Sequence, residues 1–358
     1  GVAQPLDRHA LGVDRDRDRP VTAELGEMDA REEARVLERH GVVAQQRLRE
    51  QALDGRLPLG QPAPAFPESP PEEIASLMRQ HFLPVDAATL EQNVLVVNTG
   101  RHLVLFDTGM GESMGRQSKM FGPTTGKMLQ NLKAAGIEPG QIDVVCATHA
   151  HCDHVWGLVN GKGQRVFPNA RVAISETDLR YWTDDGNKRG PSFMPVFIDG
   201  AKKNLAPYRD RMIMVRDGQE VVPGITAIAA PGHTVGHHVY AVASGNETVV
   251  NTGDLVHHQV LLLRKPMWEF AYDTDPKQSA QTRSRMLDRF AAAAAAPMVF
   301  NAVSIAAMVG LTPHVPTVGH SLAWGVTISG VLQLALLAYA VRRAGMALRV
   351  PRPRLTPR

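Results

Sequence analysis

The sequence predicts an α/β fold for the central part of the chain, about residues 70–290. Short apolar runs typical of buried strands alternate there with segments whose apolar residues recur at helical spacing. A strand predicted at 143–147 follows a helix predicted between Pro123 and Gly136, since proline suits a first helical turn and glycine the position after the last. Histidine or aspartate follows several of these strands, so chemistry is expected at the sheet edge.

The remaining elements follow from the same patterns, in chain order. Strands are predicted at 93–98 and 103–106 around the turn Thr99-Gly100, because each run is apolar and the turn carries glycine. A strand at 171–174 precedes Ser175, which suits the N-cap of a helix reaching Trp182. Further strands are predicted at 212–215, 225–230, 238–242 and 247–250, and a helix opens at Pro276 and runs to about Phe290.

The segment 148–154, Thr-His-Ala-His-Cys-Asp-His, concentrates groups that bind metals. Neutral imidazoles and carboxylates are the ligands that zinc selects. The segment follows a predicted buried strand, which would place these side chains at the rim of a sheet. A histidine-rich surface loop is the alternative, but two later strands are also followed by such groups, Gly232-His233 and Gly253-Asp254. The sequence therefore predicts a metal site.

This order of motifs, HxHxDH followed by distant Gly-His and Gly-Asp pairs, resembles the metallo-β-lactamase superfamily over about residues 70–290. Segments 121–124, 167–170 and 222–225 look like the branch that contains methyl parathion hydrolases and some acyl-homoserine lactonases. The resemblance implies an αββα sandwich that binds one or two divalent ions, zinc or a related metal. It also implies hydrolysis of an ester, lactone or phosphotriester by a metal-bound hydroxide, with a β-lactam less expected.

The resemblance also assigns residue roles. It implies that three histidines bind one ion, that an Asp-His pair binds a second, and that a later aspartate bridges the two. Asp107, His237 and His257 match positions that support the ligands from behind, although each is also an ordinary residue for a strand end or a polar loop. The implied ligands are His149, His151 and His233, then Asp153 and His154, with Asp254 as the bridge, and Asp153 and Asp254 are the implied catalytic carboxylates.

Two departures from the family pattern affect these expectations. The family carries one more histidine about 45 to 50 residues after the bridging aspartate, and this interval falls on residues 300–304, which contain none. The two strands that normally precede the strand at Asn93 are not predicted either. The domain is therefore expected to be truncated at both ends, with a weak second metal site. An inactive fragment or fusion with an incomplete metal site is the alternative function.

Residues 1–69 mix charges and contain no aromatic residue before Phe66, so we predict that they are largely disordered. The net charge of +3 is small and argues against an obligatory nucleic-acid partner. Only two cysteines occur, Cys146 and Cys152, so no disulfide framework is expected. The expected partner is a small-molecule substrate, and the oligomeric state is left open.

Residues 291–341 contain no Asp, Glu, Lys or Arg and form two apolar stretches around a Pro-containing turn. An apolar helical hairpin is predicted, either transmembrane or part of a soluble core. Arginines without acids in the basic tail, 342–358, would place a membrane-inserted hairpin's ends on the cytoplasmic side. If the hairpin does not insert, the protein is expected to be soluble. Segments 319–324 and 336–343 resemble helices of lipid-linked peptidoglycan precursor flippases, so part of a membrane transporter is a third reading.

Overall fold

The computed structural model describes residues 53–245 and 247–343. They form two compact units. The sheet unit contains residues up to Gln61, together with Asp86–Ala229 and Gly236–Gly253. The hairpin unit contains Pro62–Val85, Ala230–Val235 and the residues from Asp254 onward. The predicted disorder of residues 1–52 and most of the basic tail, 344–358, lie outside the described residues.

The larger sheet of the sheet unit has five strands in the order β3-β4-β5-β6-β7. Only the β3–β4 pair is antiparallel, and the other neighbours run parallel. Parallel strands end at the same edge, which places the loops after β4, β5 and β6 side by side. The strands are β3 Leu95–Asn98, β4 Leu103–Phe106, β5 Val144–Cys146, β6 Arg171–Ser175 and β7 Met212–Val215.

The second sheet is antiparallel, with four strands in the order β11-β10-β9-β8. One backbone hydrogen bond links it to the loop that follows the central strand of the first sheet, since the amide of His238 donates to the carbonyl of Thr148 over 2.9 Å. The strands are β8 Glu220–Val222, β9 Ile225–Ala229, β10 His238–Ser244 and β11 Glu247–Asn251.

Alternating side chains build the core on both faces of the larger sheet. Val104, Phe106 and Cys146 point one way and share a buried cluster with Ile225 and Tyr240 of the second sheet. The residues between them point the other way and pack on helices, as the period of two in a strand requires. The predicted α/β layering is confirmed. The helices of this unit are α2 Met128–Ala134, α3 Cys152–Val155, α4 Glu176–Thr183 and α5 Met194–Leu205.

The structure contains a strand before Asn93 that the sequence analysis did not predict. β1, Leu53–Gly60, pairs with β2, Ala88–Asn93, in an antiparallel ribbon. The sequence of this strand contains Gly55 and Pro58, and both residue types are depleted in strands, so its pattern does not predict one. Gly55 is needed because a Cβ there would lie 2.2 Å from the carbonyl oxygen of Thr124. The prediction of no strand in this segment is wrong.

The hairpin unit is mostly helical. The helix at Pro276 is longer than predicted and continues unbroken through six alanines, which have the highest helix propensity, to Leu311. The predicted pair of apolar helices is confirmed, with a turn at Thr312–His314. Both helices are long and apolar enough to cross a membrane by length and composition. The helices of this unit are α1 Pro71–Gln80, α6 Leu261–Arg264, α7 Pro276–Leu311 and α8 Val318–Arg343.

Candidate metal centre

Three imidazoles cluster at the carboxyl end of β5. His149, His151 and His154 are all buried in the loop and short helix α3 that follow the strand. The ring of His149 lies 4.6 Å from that of His151 and 3.9 Å from that of His154, measured between centroids. Buried imidazoles grouped in this way are the type of ligand that zinc selects.

Asp107, just after β4, holds this loop from behind. Its Oδ1 accepts a hydrogen bond from the amide of Thr148 at 2.7 Å, and its Oδ2 accepts one from the Thr148 hydroxyl at 2.9 Å. The same Oδ2 lies 2.9 Å from Nδ1 of His154. A carboxylate on one ring nitrogen directs the other toward a metal, and Nε2 of His154 does lie 3.6 Å from Oδ2 of Asp153.

The backbone of Asp107 is unusual. Its φ of +60° is in the left-handed region, which costs energy for any residue but glycine and is least costly for Asp and Asn. Such strain persists only where the surroundings fix the residue, and here three hydrogen bonds do so. The strand-end turn predicted from Asp-Thr-Gly is therefore present, with the aspartate side chain turned inward onto the histidine loop.

Asp178 is a second buried carboxylate, and no sequence pattern indicated its role. Its Oδ2 accepts from the amide of Ala150 at 2.7 Å, and its Oδ1 accepts from the amide of Gly236 at 2.9 Å. It therefore ties the histidine loop to the loop after β9. Its position in the first turn of α4 does not indicate this role, because acidic residues are common there, where they interact favourably with the helix dipole.

Two further side chains of the sheet unit contact the ligand residues. Gln92 donates from Nε2 to Oδ2 of Asp153 at 2.9 Å, a contact that no sequence pattern indicated. His237 is fully buried, and its ring lies 5.3 Å from that of His149. Gly253 leaves room for it, because a Cβ there would lie 2.7 Å from Nε2 of His237.

Aromatic rings line one side of His151. Trp182 meets its ring edge-to-face with centroids 4.6 Å apart, and Phe197 does so at 5.7 Å. Phe193, which is partly exposed, extends the same group with its ring 5.0 Å from that of Phe197. The three aromatic residues present an apolar wall beside a candidate ligand.

The hairpin unit contains a second set of donors around His233. Its Nδ1 lies 2.9 Å from Oδ1 of Asp273, and its Nε2 lies 3.2 Å from Oδ2 of Asp254. Asp273 is fully buried and is also bonded over 3.2 Å by the guanidinium of Arg283. His233 is thus held from behind by a carboxylate, as His154 is. No sequence pattern pointed to Asp273, which lies 40 positions after His233.

The carboxylates of Asp254 and Asp273 and the imidazole of His233 shift one another's pKa values. Burial opposes the charged form of His233, but the carboxylates of Asp254 and Asp273 raise its pKa to about 9. Burial likewise works against ionisation of Asp273, yet the hydrogen bond from His233 and the charges of His257 and Arg283 lower its pKa. A proton therefore occupies the cluster at neutral pH without an ion, and a metal must displace it.

His257 lies beside two of the predicted ligands. Its Nε2 is 3.2 Å from Oδ2 of Asp254, and its ring centroid is 4.7 Å from that of His233.

The interval expected to carry the last family histidine, 300–304, lies within helix α7 as the sequence indicated. His314 and His320 lie at the turn of the hairpin, where Nδ1 of His320 pairs with the Thr317 hydroxyl at 2.8 Å.

These donors fit a divalent metal such as zinc. Every candidate ligand is an imidazole or carboxylate, and two of the histidines have a buried carboxylate on the opposite ring nitrogen. The predicted ligands fall into two sets, one in each unit. That all six share one cleft stays a prediction. The sets are His149, His151, Asp153 and His154 in the sheet unit, and His233 and Asp254 in the hairpin unit.

Several curated proteins are similar to this chain. A probable metallo-hydrolase of Mycobacterium tuberculosis is 23% identical over 221 residues, which cover 55% of this chain and 66% of the relative. An N-acyl homoserine lactonase of Bacillus thuringiensis is 28% identical over 146 residues, covering 37% and 51%. A probable lipid II flippase, MurJ, of Rhizobium meliloti is 42% identical over 74 residues, covering 20% and 14%. The chain thus spans less than two thirds of the length of these relatives.

Solved structures agree with the fold. AidC, a dizinc quorum-quenching lactonase in complex with a product, is 26% identical with a TM-score of 0.59, covering 66% of this chain and 81% of that one. The hydrolase AbOPH of the β-lactamase superfamily is 28% identical with a TM-score of 0.59, covering 67% and 81%. The family model described as the metallo-beta-lactamase superfamily matches residues 88–325, more than half of the sequence. This chain belongs to the metallo-β-lactamase superfamily of hydrolases.

Proposed function

We propose that this chain is a zinc-dependent hydrolase that cleaves an ester, a lactone or a phosphotriester. One observation carries the proposal: two histidines on different elements each have a buried carboxylate on Nδ1, Asp107 for His154 and Asp273 for His233. A histidine that binds a metal almost always has a carboxylate, a carbonyl or a water on its other ring nitrogen, and the partner fixes the orientation of the ring. The family match, which includes all six predicted ligands, supports assigning both sets to one function.

The chain's own residues would position the reactants. Asp107 and Asp273 fix the ring orientation of His154 and His233, and Asp178 fixes the backbone of the histidine loop. Bound divalent ions supply a nucleophile from water at neutral pH and polarise the carbonyl or phosphoryl group under attack. Asp153 and Asp254 are proposed to hold the ions and to accept the proton released in hydrolysis.

The substrate is proposed to carry an apolar arm. Trp182 and Phe197 pack edge-to-face on His151 and would contact such an arm next to the reacting group. AidC was solved with a product carrying a hexanoyl chain, and other relatives of this chain are N-acyl homoserine lactonases. An acylated lactone is therefore the first substrate to test, with an aryl ester and a phosphotriester as the alternatives.

The test measures metal content and turnover on the same preparation. The full chain should bind zinc by elemental analysis and hydrolyse at least one of the three substrate classes. His151→Ala should lose the tightly bound ion and the activity, whereas His314→Ala, at the turn of the hairpin, should keep both. A chain that carries no zinc after careful loading refutes the proposal.

A metal-binding but inactive protein is the second candidate. It is favoured by the absence of any histidine at residues 300–304, which the structure places in helix α7. This candidate predicts one tightly bound ion and no turnover of any of the three substrates. Zinc content with no activity above that of His151→Ala would select it.

We also propose that the two apolar helices insert into a membrane. Many large apolar side chains of α7 and α8 are exposed, including Ile305, Val309 and Leu334. Hydroxyls face each other between the helices instead, with Oγ of Ser304 2.7 Å from Oγ of Ser329. Apolar surface outside and small polar contacts inside are typical of helices packed in lipid. The arginines that follow would then place the hydrolase on the cytoplasmic side.

Cell fractionation tests this placement. The full chain should sediment with membranes, resist extraction by high salt and dissolve in detergent. A variant ending at residue 290 is the comparison and should lose sedimentation with membranes. Recovery of the full chain in the soluble fraction without detergent contradicts membrane insertion. A transporter fragment, the third reading of the sequence, would sediment too but would show no zinc-dependent activity.

A further inference from the structure

His257 stands out among the histidines outside the predicted ligand set. Its neighbour His258 has an ordinary structural task, because its Nδ1 accepts from the amides of Val260 and Leu261 at 3.1 Å each. His257 has no such backbone contact among the described residues. Its side chain is only 7% exposed, and its Nε2 is directed at the carboxylate of Asp254.

The distances around Asp254 match those of a coordination sphere. Oδ2 of Asp254 lies 3.2 Å from Nε2 of His257 and 3.2 Å from Nε2 of His233. Zinc bonds to nitrogen and oxygen are about 2.0–2.2 Å long, so neighbouring ligand atoms in a tetrahedral site are roughly 3.3 Å apart. The same separation suits a hydrogen bond, and the surroundings of His257 distinguish the two.

The surroundings favour a cation. His257, His233 and Asp273 each offer a ligand atom, and these atoms lie within 4.8 Å of one another. His257 is therefore flanked by two carboxylates, those of Asp254 and Asp273. Its Nδ1 is buried and finds no hydrogen-bond partner among the described residues. His257 thus differs from His154 and His233, whose Nδ1 atoms have carboxylate partners, and its assignment depends on Nε2 and the two carboxylates beside it.

The ring of His257 is held in place by packing. Phe270, itself fully buried, stacks on it with centroids 4.2 Å apart and 25° between the planes. Phe270 in turn contacts Phe66 at 5.4 Å. A ligand held rigidly before the metal arrives loses little entropy on binding, which is the usual design of a built site.

We propose that His257 is a metal ligand, a seventh beside the six that the resemblance implies, although the family histidine near residues 300–304 is missing. In this assignment Asp254 and His257 hold an ion together with His233, and Asp273 positions His233 from behind. The inference rests on the proposed function, since it concerns the same metal centre. It predicts that the chain binds two ions rather than one, despite the missing family ligand.

The experiment uses the full chain in detergent, stripped with a chelator and titrated with Co²⁺ and then Zn²⁺. The wild type should take up two ions. His257→Ala should keep one and bind the second more than a hundredfold more weakly. His314→Ala, an exposed histidine in the same unit, serves as the control and should keep two ions.

Two further variants separate a ligand from a hydrogen-bond donor. His257→Gln places an N–H at about the position of Nε2 and can still donate to Asp254 but is a poor ligand, whereas His257→Glu offers a ligand oxygen there and places like charges together. A ligand position predicts two ions in the Glu variant and one in the Gln variant, and a hydrogen-bond position predicts the reverse.

The outcomes distinguish the two proposals. If the wild type binds no ion, the proposed function itself is wrong. If it binds ions and His257→Ala binds the same number with unchanged affinity, the function stands and the assignment of His257 is overturned. One ion in the Glu variant together with two in the Gln variant also overturns it.

Discussion

Replacement of Asp107 tests whether a carboxylate behind the ligands controls metal binding. Asp107 accepts three buried hydrogen bonds, two from Thr148 and one from His154. An asparagine at this position would keep the side-chain shape and tolerate the positive φ, but it would offer one oxygen instead of two and no charge. Asp107→Asn should therefore preserve the fold, while the ring of His154 loses the partner that orients it.

The expected magnitudes follow from these contacts. Hydrogen bonds to a charged group contribute about 1.5–3 kcal/mol each, and the Asn variant should retain one or two in weaker form, so we expect about 2–3 kcal/mol less stability for the metal-free protein. Mutations at such positions typically lower metal affinity about 10–100-fold. Asp107→Ala loses all three bonds and should be destabilised by about 3–5 kcal/mol.

Two measurements on the full chain in detergent check this. Thermal unfolding of the metal-free proteins should show that the wild type is the most stable, the Asn variant less stable and the Ala variant the least stable. Competition with a chromophoric chelator gives zinc affinity. Asp143→Asn is a matched control, because Asp143 also accepts a backbone amide, that of Leu103 at 2.8 Å, but contacts no candidate ligand among the described residues. Zinc affinity of Asp107→Asn equal to that of the control would refute the reasoning.

Three other predictions concern the sheet unit. Gly253→Ala should lower zinc affinity and activity with little change in the circular dichroism spectrum, because its Cβ would lie 2.7 Å from Nε2 of His237 and its φ of +47° disfavours alanine; unchanged affinity would contradict this. Trp182→Ala should raise KM for a long-chain acylated lactone more than for a short-chain one, with kcat less affected; equal effects on both chain lengths would exclude the proposed wall. Hydrogen bonds from Lys202 and Lys188 lower the pKa of Asp185 from 3.8 to about 2, so its stabilising contribution is complete above pH 4 and lost as pH falls through 2. Asp185→Asn should therefore flatten the acid limb of the stability profile between those values and leave stability at pH 7 less affected than Asp107→Asn does.

The local patterns were sufficient to predict the layered α/β fold and the ligand types. His149, His151 and His154 are at most five positions apart, so one strand and one loop bring them together whatever the rest of the chain does. The apolar hairpin was equally accessible, because a stretch of 51 residues without a charged side chain is a property of composition. Strand β1 was not predicted, because it contains Gly55 and Pro58. Gly55 is required where the backbone of Thr124 passes close by, and Pro58 fits because β1 pairs with a single strand. Neither condition can be read from the residue types.

Only the tertiary structure showed which distant residues contact the predicted ligands and their loop. Asp178 reaches the histidine loop from helix α4, 28 residues later in the chain, and Gln92 reaches Asp153 across 61 residues. Asp273, on a loop before α7, reaches His233 across 40 residues. Such residues carry no signal of their own, because an aspartate or glutamine at these positions is equally typical of a solvated surface. The type of a candidate ligand is set by the chemistry of its side chain, which the sequence gives directly. The residues that contact a ligand from elsewhere in the chain depend on which distant segments pack together. The free energy of burying the core decides that packing.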